Sequence, residues 1–328
     1  MRLKNFLFLG LGILLIAGVG YYAFQPSSPP LNKKPLVVVS QIIDHNTLNT
    51  VYKGLKEGLH QLGYVEGRNI QILYENAHGN YTLSKQIADK FIAAHPTVMV
   101  GLSTQSAQSF VGASLNQHIP LVFSAVTDPE AAKLSGPFIT GVSDFMPAEP
   151  QIELFLKILP SMKKLGVLYN PSEINSVSFM EKFEVVSKAK GVEVIRAPLL
   201  STAEATAAAT SLVDKVDAFY FPNDNTAMAA VKAIVAVGLK HHRPVFANDT
   251  ASVEQGAVAA VAYDRYEMGK ITAKLVAKIL TGENPRTLPV VYDAATQVVV
   301  NQVSAQALGL ILPSDMSAVW VSETKAND

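Results

Sequence analysis

Two α/β lobes, each a parallel sheet covered by helices on both faces, are what the sequence predicts. Three observations predict them. Strand-length apolar runs alternate with segments of helical spacing, the strands are apolar throughout, and the whole order occurs twice. Strands buried on both faces read as continuous apolar runs, and alternating β and α segments give a parallel sheet. The 328 residues allow about two domains. With 49% hydrophobic and 16% charged residues the chain is too apolar to be disordered.

The first strand is Leu36–Val39, followed by a helix carrying Val51, Leu55, Leu59 and Leu62 and stopped at Gly63. Ile70–Tyr74 is the second strand. Leu83, Ile87 and Phe91 mark the next helix, and Val98–Val100 and Pro120–Phe123 are the third and fourth strands. The order then repeats at an offset of about 120–130 residues, which means two similar domains rather than a solenoid. Leu165–Tyr169 answers the first strand, and a helix from Ser178 to Lys190 ends at Gly191 as the earlier one ends at Gly63. Val192–Ile195, Asp217–Phe221 and Pro244–Phe246 answer the other three strands.

Ahead of this body, Arg2 and Lys4 precede an apolar run from Phe6 to Ala23, then a proline-rich stretch begins at Gln25. A positive start, an apolar run and a breaker form an export signature. At about 18 residues the run is also long enough to span a bilayer. Residues 1–25 are therefore a signal peptide or a membrane anchor, and 26–34 a linker. Either way the body lies outside the cytoplasm, on the periplasmic or extracellular side of the membrane.

Composition and motifs exclude several functions. The 27 basic and 27 acidic residues balance, and no basic run is present to neutralise phosphates, so no nucleic-acid partner is expected. The absence of cysteine removes disulfides, thiolate metal sites and a cysteine nucleophile. No nucleotide-binding glycine fingerprint, no nucleophile elbow, no metal-spaced histidines and no singled-out carboxylate pair appear. The chain is expected not to be an enzyme, and to need no cofactor or metal.

The remaining chemistry lies at the strand ends, where open α/β sheets bind ligands. These ends carry Gln41, Ser103-Thr104, Ser124 and Thr127-Asp128 in the first half. The second half carries Tyr169, Glu173, Asn175-Ser176, Asn223-Asp224, Asn248-Asp249 and Asp264. Such residues are also ordinary helix N-caps, which accounts for about half of them. The first half is mainly neutral hydroxyls, suited to an anion at a helix start. The second offers carboxylates, suited to an ammonium. A zwitterion satisfies both.

These clusters, with Leu62–Asn69, Tyr74–Ala77, Pro120–Pro129, Thr140–Asp144, Gly166–Pro171, Pro222–Thr226, Ala247–Thr250 and Tyr266–Gly269, resemble the substrate-binding proteins of ABC importers, in the group with tryptophan- and tyrosine-binding members. The resemblance spans roughly residues 35–315. It implies a type I periplasmic-binding-protein fold: two Rossmann-like lobes, with three crossover strands near Gly141–Phe145, Ala262–Arg265 and Pro285–Pro289. Lobe 1 is expected over residues 35–142 plus 265–284, and lobe 2 over 143–264 plus 285–322.

The resemblance also implies a small ligand, an amino acid and possibly an aromatic one, bound between the lobes by the fifteen residues just named. It would be delivered to an ABC permease transmembrane subunit by hinge closure. The ligand carboxylate is expected at Ser103-Thr104 and its amine near Glu173, Asp224 or Asp264, with Tyr169, Tyr263 and Phe145 as stacking partners. The family's lipid-bearing cysteine is absent, and an uncleaved anchor could replace it. A monomer is expected. The alternatives are an anchored ligand-sensing module without a transport role and, less favoured, an extracytoplasmic α/β enzyme.

Overall fold

The computed structural model describes residues 34–292 and 296–323. The Phe6–Ala23 run lies outside the described residues. The first lobe runs β1 (Leu36–Gln41), α1 (Asn46–Gln61), β2 (Gln71–Asn76), α2 (Tyr81–Ala93), β3 (Val98–Leu102), α3 (Thr104–Gln117), β4 (Leu121–Val126) and β5 (Ile139–Ser143). Its sheet is all parallel, in the order β2-β1-β3-β4-β5. Val37, Val38 and Val39 are fully buried, as a strand covered on both faces requires.

The second lobe runs α4 (Ala148–Ile158), β6 (Lys164–Tyr169), α5 (Ile174–Ala189), β7 (Glu193–Pro198), α6 (Ala205–Thr210), β8 (Ala218–Tyr220), α7 (Asn225–Ala229), α8 (Val231–Lys240), β9 (Val245–Ala247), α9 (Thr250–Glu254) and β10 (Ala259–Tyr263). After α10 (Arg265–Leu280) come β11 (Thr296–Asn301), α11 (Gln302–Ala307) and β12 (Val319–Val321). The sheet order is β12-β11-β10-β9-β8-β6-β7, parallel except where β10 meets β11. Its core includes Phe155 stacked on Phe246 at 4.3 Å.

The internal repeat is visible down to helix stops. Gly63 and Gly191 both adopt positive φ, +88° and +78°. Tyr64 N–H reaches the Leu59 carbonyl, and Val192 N–H the Ser187 carbonyl, each at 2.9 Å. This is the same six-to-one closure after α1 and after α5.

The chain passes between the sheets three times: after β5, after β10, and between Val291 and β11. The second passage puts α10 on the first lobe, against α1. A Cβ on Gly269 would stand 2.1 Å from the Val51 carbonyl oxygen, and one on Gly54 2.1 Å from that of Tyr266, so glycine on both helices permits the crossing. The third passage differs from the expected strand at Pro285–Pro289. Pro285–Thr287 is a 3-10 turn capped by Asn284, because proline cannot donate to a ladder. Pairing begins only at Val291, whose N–H meets the Gly141 carbonyl at 2.9 Å. The helix expected from Ser178 starts earlier, at Ile174. Helix α4, whose Ile152 and Phe155 are fully buried, was not anticipated.

Candidate ligand cleft

The carboxyl ends of the two sheets supply the walls of a cleft. On the first lobe, Ser103 joins β3 to α3 with φ +84° and ψ 166°. That region is essentially reserved for glycine and is held only by its surroundings. Here the Ser103 N–H is held by the Ser124 carbonyl at 2.9 Å. A Cβ on Gly101 would meet the Ala107 nitrogen at 2.6 Å, so α3 starts directly over the strand. No side chain caps α3. The Ser103 hydroxyl is buried and unpartnered among the described residues. Ala125, also at positive φ (+56°), sits where β4 bulges against β5.

Gln41 donates to the Ile43 carbonyl and to Asn49 Oδ1, while its Oε1 stays buried without a partner. His45 caps α1 through Nδ1, and its Nε2 lies 3.4 Å from Asn225 Oδ1 of the second lobe. Burial lowers the His45 pKa below 6.5, against the opposing pull of Asp249, so the ring is neutral near pH 7.

The second lobe presents carboxylates that cap its own helices. Asp224 accepts from Ala227 N at 2.8 Å, Asn170 N at 2.6 Å and Ser176 Oγ at 2.6 Å. Burial, then the charge of Glu173, pushes the Asp224 carboxyl up to about 8. Glu173 accepts from the backbone and side chains of Asn225 and Thr226 at 2.7–3.1 Å, which uses its oxygens on the start of α7. Asp249 accepts from Ser252 N and Ser252 Oγ and, across the cleft, from Thr47 Oγ1 at 2.8 Å. Asn175 donates to the Asn223 carbonyl at 2.7 Å. Asn175 Oδ1 and Asn248 Oδ1 are buried and unpartnered.

The two walls meet near the crossings. Arg265, 5% exposed, donates through one terminal nitrogen to Asp144 at 2.5 Å and through the other to Asn223 Oδ1 at 2.8 Å. Thr127 donates to the other Asp144 oxygen at 2.9 Å. Tyr263 donates to the Phe145 carbonyl at 2.5 Å, tying two crossings together. Further out, Asn225 donates to Gln105 across the cleft at 3.1 Å, and at the rim Lys182 meets Asp128 at 3.3 Å. Two of the cavities here adjoin these residues. An inner one of about 10 Å³ is lined by residues including Thr127, Asp144, Asn175, Asn223 and Arg265, and has room for about one water. An outer one of about 450 Å³, a usual size for a ligand pocket, is lined by Ile42, Ile43, Tyr81, Glu173, Leu200 and Asn225 among others.

Of the residues singled out from sequence, Thr127, Asn175 and Asn223 line the inner cavity and Glu173 the outer one. Ser176, Asp224 and Asp249 support these from behind. Gln41, Ser103, Thr104 and Asn248 are buried at the strand ends. Asp128 is at the rim. Three others point elsewhere. Ser124 accepts from Thr272 of α10 at 2.8 Å, Tyr169 turns its hydroxyl toward Arg196 on β7, and Asp264 is exposed as the N-cap of α10. Sequence reasoning did not include Arg265, Asp144, Asn225, Gln105 or His45 among the site residues. Among the described residues no group of three or more His, Cys, Asp or Glu could hold a metal ion, and no helix is long and apolar enough to cross a membrane.

Two α/β lobes joined by three crossings, with facing strand ends and a cleft between them, define a type I periplasmic binding fold, the architecture of two-lobed solute receptors. The chain belongs to the ABC transporter substrate binding protein family, which it matches over residues 36–323. A tyrosine-binding protein of Clostridioides difficile strain R20291 is 30% identical over 284 residues, covering 85% of this chain and 82% of that protein. A Streptococcus pneumoniae ABC domain in complex with L-Trp is 31% identical with a TM-score of 0.82, covering 86% of this chain and 97% of the other. The ligand-free, open form of a Clostridium difficile substrate binding protein with adhesive properties is 29% identical with a TM-score of 0.66, covering 89% and 100%. The family and these structures are solute-binding proteins, and the chain is accordingly a solute-binding protein of the ABC transporter family.

Proposed function

We propose that the chain is the extracytoplasmic binding subunit of an ABC importer, taking an amino acid, by likeness to its relatives an aromatic one, into the cleft and delivering it to a permease transmembrane subunit. It acts as a monomer without catalysis. Phe6–Ala23 tethers it to the membrane if left uncleaved.

The observation that carries this reading is the set of buried polar atoms at the strand ends with no partner among the described residues. Gln41 Oε1, Asn175 Oδ1 and Asn248 Oδ1 are acceptors, Arg265 Nε is a donor, and Ser103 Oγ can be either. Each buried unsatisfied group costs about 1–3 kcal/mol. An empty closed cleft is thus penalised, and a ligand that offers both donors and acceptors removes the penalty in the closed form alone. Differential affinity of this kind is what shifts an open–closed equilibrium. The acceptors suit an ammonium, with Glu173 and Asp249 supplying negative potential behind them, and the donor suits a carboxylate. The outer cavity, though largely polar, offers Ile42, Ile43, Ile174 and Leu200 to a side chain.

A thermal-shift screen of the full chain, freed of carried-over ligand, against the twenty amino acids tests this. A ligand at about 100 times its Kd adds about 2.7 kcal/mol, so a binder raises the midpoint plainly. No shift with any amino acid would refute the amino-acid reading.

A further inference from the structure

Among the described residues, Arg265 is the one charged side chain of the cleft with a buried polar atom left unmet. It begins α10, where an arginine normally reaches into solvent, yet only 5% of it is exposed. It is the only lysine or arginine lining either cavity among the described residues. Its two terminal nitrogens are engaged, one by the first crossing at Asp144 and one by the second lobe at Asn223. That grip fixes the guanidinium plane. The third nitrogen, Nε, carries an N–H that is buried and unpartnered among the described residues. A buried charged donor without an acceptor is the most costly kind of unmet group, and a fixed guanidinium N–H matches one carboxylate oxygen.

His45, the other basic side chain lining the inner cavity, is held neutral by burial and offers no competing charge. The α3 start, where the sequence places the carboxylate, has an unpartnered hydroxyl and a helix dipole but no full charge. From this geometry, and resting on the ligand-cleft reading above, we infer that Arg265 is the specificity-determining residue for the ligand's carboxylate, and that Ser103 assists it. The cleft then selects free amino acids and discriminates against their amides and against peptide-linked residues, whose carboxyl is neutral. With the inner cavity at about 10 Å³, the carboxylate enters while the lobes are apart and meets Nε as they close.

The test is a comparison of ligand and protein changes on the full chain, with L-tryptophan, L-tyrosine and the amide of each as probes and affinities measured by calorimetry up to millimolar concentration. The wild-type chain is expected to prefer acid over amide by about 30-fold, the scale of one charge-assisted hydrogen bond. In Arg265→Gln that preference should fall to within about threefold, whereas Ser103→Ala should keep most of it. A preference that survives in R265Q overturns the inference and leaves the amino-acid reading intact. Equal loss of acid and amide makes Arg265 a scaffold residue and overturns it as well. If the wild-type chain binds none of the four probes, the aromatic amino-acid reading has failed and the inference drawn from it falls as well. If R265Q does not fold, Arg265→Lys, which keeps the charge facing Asp144 but lacks the Nε–H, is measured in its place with the same outcomes.

Discussion

The two lobes are built from the same α/β unit, but they end their strands differently where they face each other. In the second lobe, α7 and α9 are capped by Asp224 and Asp249, so the free N–H groups at those helix starts are met by the lobe's own carboxyl oxygens. In the first lobe α3 has no side-chain cap and begins at a strained Ser103 beside an unpartnered hydroxyl. Of the seven non-glycine residues at positive φ among those described, the two next to the cleft, Ser103 and Ala125, both belong to the first lobe. One wall caps two of its helix starts with its own carboxyl groups, while Asn175 Oδ1 and Asn248 Oδ1 stay unpartnered there. The other leaves its central helix start uncapped beside a strained serine. A repeat that conserves fold can thus still divide the electrostatic work between its copies.

The largest expected effect comes from breaking the scaffold under the first wall. Helix α1 carries His45 and Thr47 at its start and is pressed against α10 through Gly54 and Gly269. Gly269→Val would drive side-chain atoms into the Val51 carbonyl, for which backbone must move. We expect a loss of about 3 kcal/mol or more in urea unfolding, with binding lost alongside. An unchanged midpoint would mean the helix pair is far looser than its geometry says.

The next effect belongs to the second wall and is read by pH. The Asp224 carboxyl is raised to about 8 in the folded chain, whereas an unfolded aspartate titrates near 3.9. Between these values the folded state holds a proton that the unfolded state has released. Stability therefore falls as pH rises through that window and levels off above it. From pH 5 to pH 7 this group alone removes on the order of 2–3 kcal/mol. Asp224→Asn should abolish that slope, whatever its own baseline stability. Equal slopes in the two proteins would show that Asp224 is ionised throughout.

Ser103→Gly separates strain from function on the first wall. Glycine adopts φ +84° freely, so the variant should gain about 1 kcal/mol in stability, net of the larger entropy of its unfolded chain. The same change removes the hydroxyl, and affinity should weaken. A variant that loses both stability and affinity would mean that Ser103 is held without strain.

Much of this architecture was legible because apolar runs, helical spacing and glycine stops are local signals, and Gly63 and Gly191 each end a helix as read. The cleft was less legible because adjacent residues at a strand end point to opposite faces. Some polar clusters therefore send one residue inward and its neighbour away. Tyr169 turns toward Arg196 while Asn170 faces Thr226, and Asp264 stays in solvent while Arg265 is buried. No local pattern says which. Arg265 looks like an ordinary first-turn residue because its burial depends on Asp144, 121 positions earlier, and on Asn223, on another strand end. Helix α4 escaped although Ile152, Phe155 and Leu156 stand at helical spacing, because it lies between the two copies of the repeat rather than inside either.

The smallest effect tests whether the rim matters at all to the two walls. Lys182 of the second lobe meets Asp128 of the first at 3.3 Å, with the lysine side chain 57% exposed. Exposed pairs of this kind are worth about 0–1 kcal/mol and are screened by salt. Lys182→Ala should accordingly leave the unliganded melting midpoint almost unchanged. Because the pair exists only when the walls are together, any loss should appear in the liganded protein, as a dissociation rate raised by no more than about fivefold. The difference from wild type should vanish in about 1 M salt. A larger effect that persists in salt would place part of the closing energy at the rim. The comparison of the walls would then have to include it alongside Arg265, Asp144 and the unsatisfied strand ends.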